Sequence, residues 1–271
     1  MDRAQRRRSQ VVGAITGTDG GVSFEHVELR HEAGWSRLIL RRPPLNVFDR
    51  VMAGEVAAAL AACRGRARAV QIEAASECRA FSAGVEIADH LPERAAAMLE
   101  HFNAIFRTMA HADFLVLGIV RGAALGGGAE LALACDALLA ADDAIFGFPE
   151  IKVGSFPPVA AVLLPRLVGL RRAEDWILTG RNISAVEAEQ SGLARCAAAS
   201  ELEQQAAAIR EAWLGLSAPI LALARHALRG AWIRELAAAE ALYRQRLLRL
   251  ADSREGVEAF LQKRPPIWQH H

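Results

Sequence analysis

Residues 122–135 read GAALGGGAELALAC: three glycines, Gly126 to Gly128, open an apolar stretch that holds one charge, Glu130. Ala129 to Cys135 has the length and composition of a short buried helix. A carboxylate placed between Ala129, Leu131, Ala132 and Leu133 is costly unless it is paired, hydrogen-bonded or protonated. Burial raises its pKa toward neutrality, which suits proton transfer. The glycines offer backbone N–H groups at a helix start, where amides and helix dipole favour negative charge and a ligand can approach closely. A tight turn accounts for the glycines equally well, and an exposed face or a buried ion pair accounts for Glu130. The run matches neither the phosphate loop, because no Gly-Lys-Ser/Thr follows, nor the dinucleotide spacing.

Around this stretch, strands and helices alternate. Leu115 to Val120 is an apolar, β-branched strand that ends before Gly122, and Ala137 to Ala141 reads as the next. Upstream, residues 24–41 form a hairpin pattern turning at Glu32-Ala33-Gly34. Asp49 caps a helix whose apolar face is Val51, Met52, Val56, Ala59, Leu60 and Cys63. Ala69 to Ile72 reads as a strand, Phe81-Ser82-Ala83-Gly84 as a loop, and residues 93–110 as a helix. From Pro158 onward helices dominate, apart from a strand near Leu193 to Ala197. One long helix is expected over Pro219 to Leu250, starting at a proline. The order suggests an α/β core followed by a helical C-terminal region.

A second carboxylate in apolar surroundings, Glu150, follows Phe146-Gly147-Phe148-Pro149. Two such groups can serve as proton donor and acceptor. The backbone after Gly84 offers another amide, beside those of the glycine run.

The 271 residues are 52% hydrophobic and 23% charged, which excludes a disordered chain and a small disulfide scaffold. No apolar run has the length of a membrane-spanning helix. A net charge of +1 argues against nucleic-acid or membrane binding by the whole molecule. Residues 1–21 read as a flexible basic tail, with Arg3, Arg6, Arg7 and Arg8 and no apolar signal core. Cys63, Cys78, Cys135 and Cys196 have no metal-ligand spacing and fit reduced thiols in a cytoplasmic protein.

Taken together, the segments resemble the crotonase (enoyl-CoA hydratase/isomerase) superfamily. Phe81 to Ile87 is similar to its first signature, Gly122 to Leu131 to its second and Phe146 to Ile151 to its third. Arg42-Pro43-Pro44-Leu45-Asn46 matches the opening element and Asp252 to Pro265 the closing helix, so the resemblance runs over about residues 25–265. It implies an α/β spiral of ββα units over residues 22–200 and a helical C-terminal region over 201–271 that serves trimerisation and as a pocket lid, in a trimer or a dimer of trimers. It implies an acyl-CoA thioester substrate and no cofactor or metal beyond the CoA that the substrate carries. By the same resemblance, the amides of Val85 and Gly127 hold the thioester oxygen, Glu130 and Glu150 are the catalytic pair, and Pro44, Leu45, Ala83 and Ile87 line the CoA side of the pocket.

Some positions depart from the common pattern. Gly154-Ser155-Phe156-Pro157-Pro158 stands where a glycine-rich stretch is usual, and two prolines stiffen it. Phe156 and Pro158 are therefore expected to shape the substrate pocket. With Pro44 to Asp49, His90-Leu91-Pro92 and the Phe102/Phe106 helix, these features are most similar to the branch that hydrates cyclohexa-1,5-diene-1-carbonyl-CoA. Glu86 stands where the family commonly has Asp. The same fold in a double-bond isomerase, a general enoyl-CoA hydratase, or a non-catalytic scaffold binding a partner or RNA through the basic tail are the alternatives.

Overall fold

The computed structural model describes residues 23–270, so the expected basic tail over 1–21 lies outside the described residues. The chain opens with a hairpin, β1 (Val27–Glu32) and β2 (Trp35–Leu40), in which Val27 faces Leu40 and Glu32 faces Trp35. Helix α1 (Arg50–Ala62) starts where the Asp49 side chain accepts the Met52 N–H at 2.8 Å, as the sequence suggests. β3 (Ala69–Ala74), β4 (Ala80–Ser82) and α2 (Pro92–Ala110) follow. Next come β5 (Leu115–Val120), β6 (Ala123–Leu125) and α3 (Gly127–Ala134), then β7 (Ala137–Ala141) and β8 (Ile145–Gly147). A 3-10 turn (Pro149–Val153) leads into α4 (Pro158–Val168) and α5 (Leu170–Thr179). β9 (Asn182–Ser184), α6 (Ala185–Gln190) and β10 (Arg195–Ala197) complete the α/β part. The remainder is helical: α7 (Leu202–Leu214), α8 (Ala218–Arg229), α9 (Trp232–Gln245) and α10 (Ala251–Leu261).

The strands fall into two sheets, one ordered β1-β2-β3-β5-β7-β10 and one ordered β4-β6-β8-β9. From β3 to β8, successive strands enter alternate sheets. β3, β5 and β7 pair in parallel in the first, and β4, β6 and β8 in the second. Each ββα unit therefore advances one strand along both sheets, which is the expected spiral. β5 is buried along its whole length because elements cover both of its faces. Phe81, Phe106, Phe146, Phe148 and Trp176 are fully buried in the core between sheets and helices.

Two expectations need correction. Phe81 and Ser82 are strand residues, not loop, because a three-residue strand is too short to show the alternation that sequence patterns detect. The single helix expected over Pro219 to Leu250 is two helices, α8 and α9, followed by a 3-10 turn at Leu247–Arg249. The break falls at Gly230. Its amide reaches the His226 carbonyl at 2.7 Å, and a β-carbon there would stand 2.7 Å from that oxygen, so the chain turns where no side chain fits.

Candidate active site

The second sheet carries the site at the ends of its short strands. β4 runs into Ala83-Gly84-Val85, β6 into Gly126 and α3, and β8 into the turn that bears Glu150. These three exits are neighbours because their strands are.

Val85 lies beside Phe48 in a parallel bridge: Phe48 N–H donates to Gly84 O and Glu86 N–H to Phe48 O, each at 2.8 Å. Both bonds leave from the residues flanking Val85, so the Val85 amide faces the opposite side. Gly127 is the first residue of α3, and its N–H is free of intrahelical bonding by its position. The Val85 and Phe102 side chains pack against the Gly127 backbone. A β-carbon on Gly127 would stand 2.8 Å from Val85 Cγ2 and 2.7 Å from Phe102 Cζ, so this approach requires glycine.

Asn46 braces the Val85 loop from behind. It is fully buried at a left-handed φ of 49°. Its side chain accepts from Arg42 N–H at 2.7 Å and donates to Ala80 O at 3.2 Å and Phe81 O at 3.1 Å. Ser82 Oγ donates to Asn46 O at 2.7 Å and accepts the Gly84 N–H at 3.1 Å. Arg79 N–H reaches Pro44 O and Ala83 N–H reaches Leu45 O, so Pro44, Leu45 and Ala83 lie along one seam with the first two exposed. Ile87 begins the 3-10 turn after Glu86 and is half-buried.

Glu130 is 4% exposed and, among the described residues, forms no ion pair. Its Oε1 accepts the N–H groups of Val159 at 2.8 Å and Ala160 at 3.0 Å, the first free amides of α4. Pro157 and Pro158 carry no N–H, so the helix start presents these two amides and its positive dipole end to Glu130. Pro158, expected to line the pocket, is buried at the start of that helix. Burial pushes the Glu130 carboxyl up to about 7, and the two amides pull in the other direction.

Glu150 places its carboxyl at the start of the helix that carries Glu130. Its Oε1 lies 2.8 Å from the β-carbon position of Gly126, whose carbonyl accepts the Glu130 N–H at 2.9 Å. Its Oε2 is out of solvent, with no hydrogen-bond partner among the described residues. Burial, and then the charge of Glu130, hold its carboxyl well above the usual carboxylate range. Two carboxyls that oppose each other's ionisation favour one shared proton, and so one acceptor and one donor.

The structure thus brings together Glu130, Glu150, Val85 and Gly127, with Pro44, Leu45 and Ala83 on the adjoining seam. Phe156 is half-buried against Tyr243, with ring centroids 5.3 Å apart. Tyr243 and Ser155 escaped the sequence reading. Both are buried, and Ser155 Oγ donates to the Tyr243 hydroxyl at 2.9 Å. The only available signal was that Tyr243 is the sole tyrosine of the chain.

Among the described residues, no single helix is long and apolar enough to cross a membrane. The four cysteines are unpaired, with Cys63 and Cys135 buried.

Comparison with known proteins identifies the family. The family profile described as enoyl-CoA hydratase/isomerase matches residues 30–271. A cyclohexa-1,5-dienecarbonyl-CoA hydratase of Thauera aromatica is 37% identical over 253 residues, 90% of this chain and 96% of that protein. A probable enoyl-CoA hydratase of Mycobacterium bovis is 34% identical over 92% of this chain and all of that protein. The crystal structure of an enoyl-CoA hydratase from Mycobacterium avium subsp. paratuberculosis superposes with a TM-score of 0.79 at 28% identity, covering 91% of this chain and 100% of that one. A profile match across most of the chain, near-full-length relatives and a shared fold lead to one conclusion: the chain belongs to the enoyl-CoA hydratase/isomerase family of enzymes, which process CoA thioesters.

Proposed function

We propose that the protein adds water to a conjugated cyclic dienoyl-CoA, with cyclohexa-1,5-diene-1-carbonyl-CoA as the favoured substrate. The observation that carries the hydration chemistry is the asymmetry of the carboxyl pair. Glu130 is held by two amides and the end of a helix dipole, which favour its charged form, whereas Glu150 has a buried oxygen with no partner. Glu130 is therefore the resting carboxylate and Glu150 the resting acid. The full-length likeness to the Thauera aromatica hydratase and the stiff Phe156-Pro157-Pro158 turn support the ring substrate.

In this reading Glu130 accepts a proton from water as the water oxygen bonds to the unsaturated system. The electron pair moves through the conjugated bonds to the thioester oxygen, where the Val85 and Gly127 amides stabilise the enolate. One such donor is worth about 10²–10³ in rate. The enolate then takes the Glu150 proton on carbon, and the net gain is one water. A proton passing from Glu130 to Glu150 restores the start. The cycle needs only acid–base groups that the chain supplies. Pro44, Leu45, Ala83 and Ile87 flank the CoA portion, and Phe156 and Pro158 the acyl end.

The acting form is a homotrimer or a dimer of trimers. Support comes from α8, which buries Arg225 alone and leaves Ile220 67%, Leu223 70% and Leu228 85% exposed. A stable monomer by light scattering overturns this part. We place the enzyme in the cytoplasm, in keeping with its unpaired thiols.

The test incubates the protein separately with cyclohexa-1,5-diene-1-carbonyl-CoA and crotonyl-CoA and reads products by mass. Gain of one water on the diene, with little on crotonyl-CoA, is the expected result. Gain on crotonyl-CoA alone makes it a general hydratase, and turnover without a change of mass makes it an isomerase.

A further inference from the structure

One short segment lies between the supports of both carboxyls. Residues 154–158 connect the turn that bears Glu150 to the helix start that holds Glu130. At one end Ser155 N–H donates to Glu150 O at 3.0 Å, and at the other the Val159 and Ala160 amides bind Glu130 Oε1. The length and direction of this segment therefore help set where the carboxyls stand relative to each other.

Helix α9 contacts the segment at its middle through Tyr243. Tyr243 touches two consecutive residues there: its hydroxyl meets Ser155 Oγ at 2.9 Å, and its ring packs on Phe156 at 52°. Ser155 is 3% exposed and Tyr243 2%, so water does not compete for their bond. We propose that Tyr243, acting through Ser155, is a positioning residue for hydration: it fixes the spacing of Glu130 and Glu150 and thereby keeps one proton between them. The inference rests on the reading that these two glutamates are the reacting pair.

Two further observations agree. Burial pushes the Tyr243 hydroxyl up to about 12, with smaller contributions from the charges of Glu150 and Glu130, so the phenol stays protonated and lies within electrostatic reach of the pair. The pair of hydroxyls carries two protons, and the bond between them uses one, so the second remains available to an acceptor in the same buried space. The other charged groups joining α9 to the elements packed on it are already paired: Arg107 with Glu240 at 3.4 Å from α2, and Arg166 with Glu235 from α4. Lys152, on the Glu150 turn, is exposed.

The experiment measures kcat, KM and the pH dependence of kcat for Tyr243→Phe, Ser155→Ala, the double variant and Ser155→Thr, using the acyl-CoA that the wild type hydrates. Tyr243→Phe keeps the ring on Phe156 and removes only the oxygen. The expected result is a loss of about tenfold in kcat for each single variant, KM within about twofold, and a shift of the pH profile. The double variant loses no more than either single one, because the two residues act through one bond, and Ser155→Thr retains activity. Wild-type kcat and pH profile in both single variants overturn the proposal. So does additive loss in the double variant, or a lowered melting temperature with an unmoved pH profile, which would mark a structural bond only. Glu150→Gln is the control: if it is inactive while Tyr243→Phe is normal, the positioning role falls and the catalytic pair stands. If Glu150→Gln is fully active, the catalytic reading itself falls.

Discussion

Glu150 presses its carboxyl oxygen against Gly126, 2.8 Å from where a β-carbon would be, and the carbonyl of that same glycine receives the Glu130 amide. One residue without a side chain thus leaves room for the Glu150 carboxyl at the start of the helix that carries Glu130, directly before the amide of Gly127. Gly126 also adopts a φ of +50°, which side-chain-bearing residues rarely take.

Gly126→Ala is accordingly expected to fold and to lose activity. The added methyl pushes Glu150 aside, and a displacement of that size at a reacting group costs about 10²-fold. Steady-state kinetics beside a circular dichroism spectrum checks this. Wild-type kcat would mean that Glu150 does not act from its observed position.

Glu130→Gln and Glu150→Gln should each lower kcat by about 10²–10⁴-fold, the range for a lost general acid or base. CoA-thioester affinity should change little, because the seam at Pro44, Leu45 and Ala83 is untouched. Calorimetric binding of a non-reactive acyl-CoA separates the two effects.

The activity should rise with pH through about 7, where Glu130 ionises, and decline at higher pH as Glu150 loses its proton. A kcat profile between pH 5 and 10 reads both limbs. A flat acid limb would exclude a carboxylate base with a raised pKa.

Stability should show the opposite trend. The folded pKa of Glu150 lies above its ordinary 4.5, so the folded state binds the proton more tightly than the unfolded chain does. That contribution is complete below about 4.5 and is lost as pH rises through the folded value. Glu150→Gln removes the cost of burying the second charge, so its melting temperature should exceed that of the wild type at pH 9 and match it near pH 4.

Asn46→Ala should destabilise more than a surface change does. It leaves Ala80 O, Phe81 O and Arg42 N–H without their partner in a buried loop. Unsatisfied groups of this kind cost about 1–3 kcal/mol each. For a chain of this size each kcal/mol lost lowers the melting temperature by roughly 2–4 °C, which differential scanning calorimetry resolves.

The sequence by itself determined the long elements and singled out the candidate residues. Leu115 to Val120 and Ala137 to Ala141 are strands at the residues expected, Asp49 caps α1, and the α/β order is as read. Periodicity identifies such elements because each buries a face long enough to leave a pattern. Glu130 and Glu150 stood out because a carboxylate in apolar surroundings demands an explanation. The catalytic role expected of them, and of the Val85 and Gly127 amides, came from the resemblance rather than from spacing. Tertiary structure alone decided the rest. The strands β4, β6 and β8 are three residues each and exist because each pairs with a neighbour distant in sequence, yet their exits assemble the site. The break at Gly230 lets α9 pack on the segment that links the supports of the two glutamates and brings Tyr243 to Ser155, 88 positions earlier. The state of the carboxyl pair also depends on the fold, because the Glu130 partners are amides of residues 29 and 30 positions later. Backbone N–H groups are the same in every sequence. Only their arrangement in space decides which carboxyl they meet, here Glu130.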